Sequence, residues 1–427
     1  MKFKKLVVSG LLLSVSPAFS ATHTVSAKTD VFAPTPSSPI TSSTLSLDDI
    51  SSWWAKRITC SGEIDSAAFF SNYTPTTRGV IPTAAGTSPG ASNLAITFAN
   101  LQADAALTDW LSTTLAISYQ QSTPSFIRSA AGGGNVLFVN QGYVTIAKPS
   151  ASPFYFMAGR KFIDFGGLDN TSYLESTYQL LTLNRATEVA TGFKDAHGFN
   201  GSVYTFTGLT NVNSRNTGNI NSYGAALGYG FSDQSYGINV GLGYLNDILS
   251  GLYISSTVAN ASTLNAGNFH TALPAVDLHA KVNLKAFDVS AKYAAAVRRA
   301  SVLDVPFTVN GGTTFKGAEP AAWGVNLGYT FNIRAHKTRL GAGYQGSHES
   351  AALGTASGSV ANAVSGVYGT FYAIGMPLTR YYANYSVDLV KWANLGFEYA
   401  HDIGYGVSHG GTGRSSDTGV AMISARF

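Results

Sequence analysis

Apolar and polar residues alternate with a period of two in segment after segment between Arg57 and Phe427. In 276–285, Val276, Leu278, Ala280, Val282 and Leu284 alternate with Asp277, His279, Lys281, Asn283 and Lys285. In 323–332, Trp323, Val325, Leu327, Tyr329 and Phe331 alternate with Gly324, Asn326, Gly328, Thr330 and Asn332. Segments 223–231 and 236–244 keep the same rhythm, with Tyr223, Leu227, Tyr229 and Phe231 in the first and Tyr236, Ile238, Val240, Leu242 and Tyr244 in the second. Successive strand residues point to opposite faces, so each segment presents an apolar, aromatic-tipped row on one side and a small or polar row on the other. Sixteen such segments of roughly ten residues can be counted, the last ending the chain on Phe427.

The connections between them alternate in length. Short ones fall near 104–109, 148–152, 196–198, 232–235, 285–286, 334–336 and 389–391; long ones near 71–91, 122–134, 165–184, 209–220, 248–271, 300–319, 346–377 and 403–417. Tight turns on one side and long loops on the other are the signature of an outer-membrane barrel. The expected fold is therefore all-β: a transmembrane antiparallel up-and-down β-barrel of the bacterial outer membrane with about 16 strands and both termini periplasmic. Segments 136–147, 185–195 and 378–388 alternate least cleanly, which leaves fourteen and eighteen as the neighbouring counts. A soluble β-sandwich also alternates, but its outward face would be rich in charge.

Composition agrees with a chain in lipid. Charged residues make up 12%, against about 25% in a soluble protein, and no later stretch is long and apolar enough for a membrane helix. Lys2, Lys4 and Lys5, the apolar run Leu6–Val15 and the small residues around Ala18–Ala21 predict a secretory signal peptide over 1–21. Residues 22–52 are rich in Ser, Thr and Pro and predict a flexible periplasmic lead. The barrel is expected over 53–427, opened by Trp53 and Trp54 at the height of an aromatic girdle. Removing the three signal lysines from 27 basic residues leaves 24 against 23 acidic ones, so nothing points to nucleic acid. The single cysteine, Cys60, falls on the apolar face of the first strand, where it reads as a small packed side chain.

A barrel of sixteen strands is wide enough for water, whereas about eight close on their own side chains. Diffusion of polar solutes is the first functional class. An energy-coupled receptor is a poor fit, because about thirty low-complexity residues before the first strand cannot fold a plug. Pores gain selectivity from lumenal charge and from a loop folded inward. His279, Lys281, Lys292 and Arg298, with Arg339 on a neighbouring strand, form a candidate basic wall, accompanied by Arg299, Lys285 and Lys337 and diluted by Asp277 and Asp288. Lys285 and Lys337 border short turns and read as strand-end charges near the headgroups. Segment 165–185 is the candidate constriction loop. Its Tyr173, Tyr178, Leu180, Leu181 and Leu183 would be unfavourable in bulk water, and Asp169, Glu175, Arg185 and Glu188 are its candidate polar residues. The competing reading packs it at a subunit contact or over the barrel mouth.

Enzymatic motifs are absent: there is no G-x-S-x-G, H-E-x-x-H or P-loop and no paired Cys or His at zinc spacing, so no catalytic residue, metal or cofactor is expected. His270, His279, His336, His348, His401 and His409 lie in different segments. A barrel hydrolase with a site assembled across strands stays open as a minor class.

Three stretches have a more particular look. P-F-Y-F-M-A-G-R-K-F-I-D-F-G-G runs from Pro153, L-L-T-L-N-R-A-T-E-V-A-T-G-F from Leu180, and H-G-F-N-G-S-V-Y-T-F-T-G from His197. Together they resemble the LbtU-type siderophore porins of Legionella and its relatives. Gly159, Arg160, Phe162, Phe165 and Gly166 match the first element of that pattern. Leu181, Thr182, Leu183, Thr187 and Glu188 match the second, and Gly198, Phe199, Gly201, Ser202, Tyr204, Phe206 and Gly208 the third. The start W-A-K-R-I-T-C-S-G-E-I from Trp54 is also similar. The match covers about seventy residues, and 22–50 lack the heptads of the family's lead. The resemblance implies uptake of a ferric siderophore, a polycarboxylate, without a plug. The alternatives are a general or anion-preferring diffusion porin, or a surface adhesin or structural anchor whose loops at 248–271 and 346–377 bind a partner. The expected partners are outer-membrane lipid and lipopolysaccharide and a small polar or anionic solute, with a homo-oligomer left open.

Overall fold

The computed structural model describes residues 57–73, 90–120, 136–167, 171–208, 211–212, 220–233, 235–251, 268–269, 271–309, 314–351, 376–409, 411, 413 and 415–427. The expected signal peptide, the lead, Trp53, Trp54, Asp169, His270 and parts of the long loops lie outside these residues.

Strands β1 (Ile58–Tyr73), β2 (Gly90–Ala106), β3 (Leu111–Gln120), β4 (Val136–Ala147), β5 (Phe154–Phe162), β6 (Arg185–Lys194) and β7 (Phe199–Phe206) come first. They are followed by β8 (Asn211–Val212), β9 (Ser222–Ser232), β10 (Tyr236–Leu245), β11 (Asn268–Phe269), β12 (Ala275–Leu284) and β13 (Phe287–Ala296). The last are β14 (Pro306–Val309), β15 (Thr314–Gly317), β16 (Ala321–Ile333), β17 (His336–His348), β18 (Thr379–Val390), β19 (Ala393–Ile403) and β20 (Ser415–Arg426). Sixteen of them close an antiparallel barrel in chain order; β8 with β11 and β14 with β15 form two small sheets in the long loops. The three weakest sequence segments are barrel strands β4, β6 and β18.

Closure is made by β1 against β20, with Glu63 opposite Arg426 and Asn72 opposite Asp417. The last residue completes the seam: Gly62 N–H donates to the Phe427 carbonyl at 2.9 Å and Phe427 N–H to Gly62 at 3.0 Å. Gly62 has no side chain because one would collide with the Phe427 ring, 2.2 Å from an ideal Cβ.

The period of two sorts the faces as expected. Leu94 (75% exposed), Phe70, Leu227, Leu278, Leu327, Phe397 and their neighbours project outward. Asp65, Thr97, Ser118, Asp277, Lys292, Asn326, Arg339, Gln345, Asn384 and Glu398 are buried on the opposite face. An apolar exterior around a polar interior is the inverse of a soluble protein, and it is the arrangement a bilayer stabilises. Aromatic residues band both edges. Phe199–Tyr229 (4.8 Å), Phe231–Tyr236 (5.3 Å) and Phe287–Tyr329 (4.7 Å) lie near the short turns. Tyr223–Tyr244 (6.5 Å) and Tyr344–Tyr381 (5.1 Å) lie near the long loops. Tyr223 and Phe231 are separated by about 26 Å of strand, roughly 20 Å along the normal at a tilt of about 40°, close to the height of an outer-membrane apolar band.

The lumen is not empty. Phe165, Tyr178 and Leu181 of the loop after β5 pack with Met157, Tyr204 and Phe206 of the wall and with Leu245, Ile248, Leu249, Leu273, Val305, Phe307, Met376 and Tyr405. The loops after β10, β13, β17 and β19 thus contribute to an apolar core at the long-loop end.

Candidate functional site

Residues 163–167 and 171–184, between β5 and β6, fold into the barrel. An apolar loop loses unfavourable contact with water by doing so, and the chain supplies anchors at each stage. Ser176 caps a short helix, Thr177–Thr182: its hydroxyl accepts from the Gln179 N–H while the Gln179 side chain accepts from the Ser176 N–H. The helix lies against β13, β16 and β17. The preceding stretch reaches β18 and β19. In the ring of sixteen, β18 stands eight places from β6, diametrically opposite, so the loop crosses the lumen.

Its far end is held by two buried carboxylates. Glu398 on β19 accepts from the Ser172 hydroxyl (2.6 Å), the Tyr173 N–H (2.7 Å), the Leu174 N–H (3.2 Å) and the Asn384 amide (3.1 Å). Arg380 on β18 donates twice to Asp402 (2.6 and 2.7 Å) and once to the Glu175 carbonyl (2.6 Å). Charge-assisted bonds of this kind are about twice as strong as neutral ones. Thr171 is bonded to Tyr382 through the two hydroxyls and to Asn384 through its carbonyl. Thr177 N–H donates to Gln345 at 3.1 Å, and its hydroxyl to the Gly346 carbonyl at 3.1 Å. Tyr173 fits because residue 396 is glycine: an ideal Cβ there would lie 1.9 Å from the phenol oxygen. Burial, then the Glu398 carboxylate, pushes the Tyr173 phenol up, so its hydroxyl stays neutral.

The near end meets the expected basic wall. Asp277 accepts from the Gly166 N–H at 2.7 Å and lies 3.3 Å from His279. Lys292 donates to the Gly167 carbonyl at 2.9 Å, with its ammonium 5.5 Å from the Tyr178 ring centre. Arg339 pairs with Asp288 at 2.8 Å across the intervening strand. Lys281 is half-buried on the lumenal row of β12. Glycines let these side chains lie flat. A Cβ at 241 would meet the His279 ring, one at 243 would meet Asp277, and one at 328 would meet both Asp288 and Arg339.

The remaining sequence candidates are placed differently. Arg298 lies beyond the end of β13, exposed, donating to the Ala272 carbonyl at the long-loop mouth. Lys285 is exposed in the β12–β13 turn. Glu175 is buried in the loop, and its carbonyl meets Arg380. Arg185 and Glu188 belong to β6, on the wall. Arg185 contacts Asn140 and sits 4.8 Å over the Phe138 ring, and Glu188 lies 3.6 Å from Lys161. Asp169 falls outside the described residues.

Sequence reasoning missed Glu398, Arg380 and Asp402, the residues that hold the loop. Their only sequence signal is position: each is charged and falls on the lumenal row of an alternating strand. It also missed a cluster at the long-loop end. Glu349 there accepts from Arg299 (2.7 Å), Lys316 (2.5 Å) and the Glu319 N–H (2.9 Å). Burial pushes the Glu349 carboxyl up, but these bonds outweigh it and hold it below the usual glutamate range.

No protein-family profile matches the chain. It is similar to a UPF0422 protein of Legionella pneumophila, 26% identical over 397 residues, covering 87% of this chain and 66% of that one. It is also similar to a UPF0422 protein of Coxiella burnetii, 25% identical over 322 residues, covering 74% and 61%. The chain thus spans less than two thirds of the length of these relatives when matched to them. Among solved structures, OmpF of Salmonella typhi in complex with daunomycin superposes with a TM-score of 0.53 at 13% identity, covering 87% of this chain and 97% of that one. The outer membrane channel DcaP of Acinetobacter baumannii gives 0.51 at 12%, with the same coverages. The fold is that of outer-membrane porins.

Proposed function

We propose that the chain is an outer-membrane channel for polar solutes whose narrowest point is the loop 163–184, and that its cargo is an anionic iron chelate, a ferric siderophore, taken up without an energy-coupling plug. The observation that carries the channel reading is the loop itself, which crosses the lumen and is bonded to the wall at both ends. In this reading the loop sets the size limit. His279, Lys281 and Lys292 bias the field at its near side toward anions, while Arg339 is balanced by Asp288. The siderophore is supported by the resemblance carried by 153–208 and by relatives in Legionella. Export through a cleaved peptide at 1–21, with 22–52 as a periplasmic lead, belongs to the same reading.

Reversal potentials in planar bilayers test the field. Lys281→Glu with Arg339→Glu should shift selectivity toward cations, and an unchanged potential refutes the basic wall. A ferric polycarboxylate siderophore should then block the current in a concentration-dependent way. Conductance without block leaves a general or anion-preferring porin, which the lumenal basic residues also favour. A silent membrane favours the adhesin or anchor.

A further inference from the structure

The periplasmic rim is asymmetric in charge. On one side, the turn 107–110 carries Asp109, paired with Lys148 of the next turn at 3.2 Å. Asp195 in turn 195–198 caps the N–H groups of His197 and Phe199, and Asp233 in turn 233–235 caps Ser235 and Tyr236. Three of these four turns carry an aspartate. On the other side, the three consecutive turns 285–286, 334–335 and 391–392 carry Lys285, Arg334 and Lys391, all exposed, with His336 and Lys337 beside them. The acids at this level, Asp288 and Asp388, belong to the lumenal network, held by Arg339 and by the Asn394 amide (2.6 Å). Among the described residues no ion pair neutralises the three turn cations.

The backbone makes the choice of residue more pointed. Lys285 has φ 52°, Arg334 φ 46° and Ala335 φ 71°, the left-handed region that two-residue hairpin turns usually fill with Asn or Gly. Long basic side chains stand at positions where local preference would place neither. Below them runs a dense part of the aromatic girdle: Phe287 on Tyr329, Tyr329 on Phe331 at 5.5 Å, and exposed Trp392 with the Lys391 ammonium 4.3 Å from its ring centre. Consecutive turns are two strands apart, so the three cations span about 20 Å of rim.

We propose that this arc of the rim is a docking surface for anionic phospholipid headgroups of the periplasmic leaflet. Aromatic rings at the acyl boundary with cations one step further out match a lipid whose phosphate carries net negative charge. Charge complementarity at that depth favours lipid over an acidic protein, since the cations adjoin residues that only a bilayer covers. The inference rests on the short turns facing the periplasm and does not depend on which solute passes.

The test uses the full chain in lipid vesicles, with Trp53→Phe, Trp54→Phe, Trp110→Phe and Trp323→Phe leaving Trp392 as reporter. Quenching by brominated phosphatidylglycerol is compared with quenching by brominated phosphatidylcholine. The expected result is an about fivefold preference for phosphatidylglycerol that falls as salt rises, because exposed charges are screened. Lys285→Gln, Arg334→Gln and Lys391→Gln together should remove the preference, and Lys148→Gln should keep it. Equal quenching by the two lipids, or a preference that survives the triple substitution, overturns the proposal. If the triple variant fails to fold, the salt titration decides, because a preference indifferent to salt also overturns it.

Discussion

At the scale of single residues, the lumen is organised by pairs in which a glycine on one strand makes room for a long polar side chain from a neighbouring strand or from the inward loop. Gly241 accommodates His279, Gly396 accommodates Tyr173, and Gly328 accommodates the Asp288–Arg339 pair. Such pairs are invisible in one strand read alone, since they require the register between neighbours. Glu398 shows the consequence. It is 4% exposed, and four donors converge on it. Replacing it with alanine removes the acceptor shared by the Ser172 hydroxyl and the Tyr173 and Leu174 N–H groups, at about 1–3 kcal/mol for a buried group left unsatisfied. Glu398→Ala is expected to free the far end of the loop while the barrel stays folded, seen as larger and noisier single-channel conductance with unchanged heat-modifiable migration. Gly396→Ala changes no charge and no hydrogen-bonding group yet displaces Tyr173, so it should give the same phenotype. A quiet channel of ordinary conductance in both variants would show that the loop is not held from β19. At the seam, Gly62→Ala should lower the unfolding midpoint, in line with the 1–3 kcal/mol typical of overpacking.

At the scale of elements, strands and turns were legible because each strand lies between lipid and lumen, and that contrast writes itself as a period of two. All sixteen barrel strands and the alternation of connection lengths follow from it. The inward course of 163–184 was legible for a related reason, as Tyr173, Tyr178, Leu181 and Leu183 need burial. The packing of the other loops was not legible. Leu245, Ile248, Leu273, Val305, Phe307, Met376 and Tyr405 meet from four separate connections, and no periodicity links them. The hairpin β14–β15 depends on this cap. Phe307 packs edge-on to Tyr405 at 6.5 Å, and Lys316 joins Arg299 on Glu349. Because the folded Glu349 carboxyl titrates below its unfolded value, its contribution is complete above the usual glutamate pKa of about 4 and is lost as pH falls through the lower folded value. Hydrogen exchange in 306–317 should therefore accelerate as acid protonates Glu349, and Glu349→Gln should show the faster exchange already at neutral pH. Identical protection at both pH values and in the variant would contradict this.

At the scale of the whole molecule, the chain is a hollow cylinder with an apolar exterior, a polar interior and one strap drawn across it. The exterior follows from bilayer physics and the strap from the need to bury a sticky loop. Together they define a passage narrower than the barrel. The most direct test is single-channel conductance in planar bilayers, comparing the unaltered chain with a variant in which 168–176 is replaced by a short glycine–serine linker. Discrete steps are expected for the unaltered chain and clearly larger steps for the variant. Folded, membrane-inserted protein that gives no steps, or two proteins with equal steps, would contradict this.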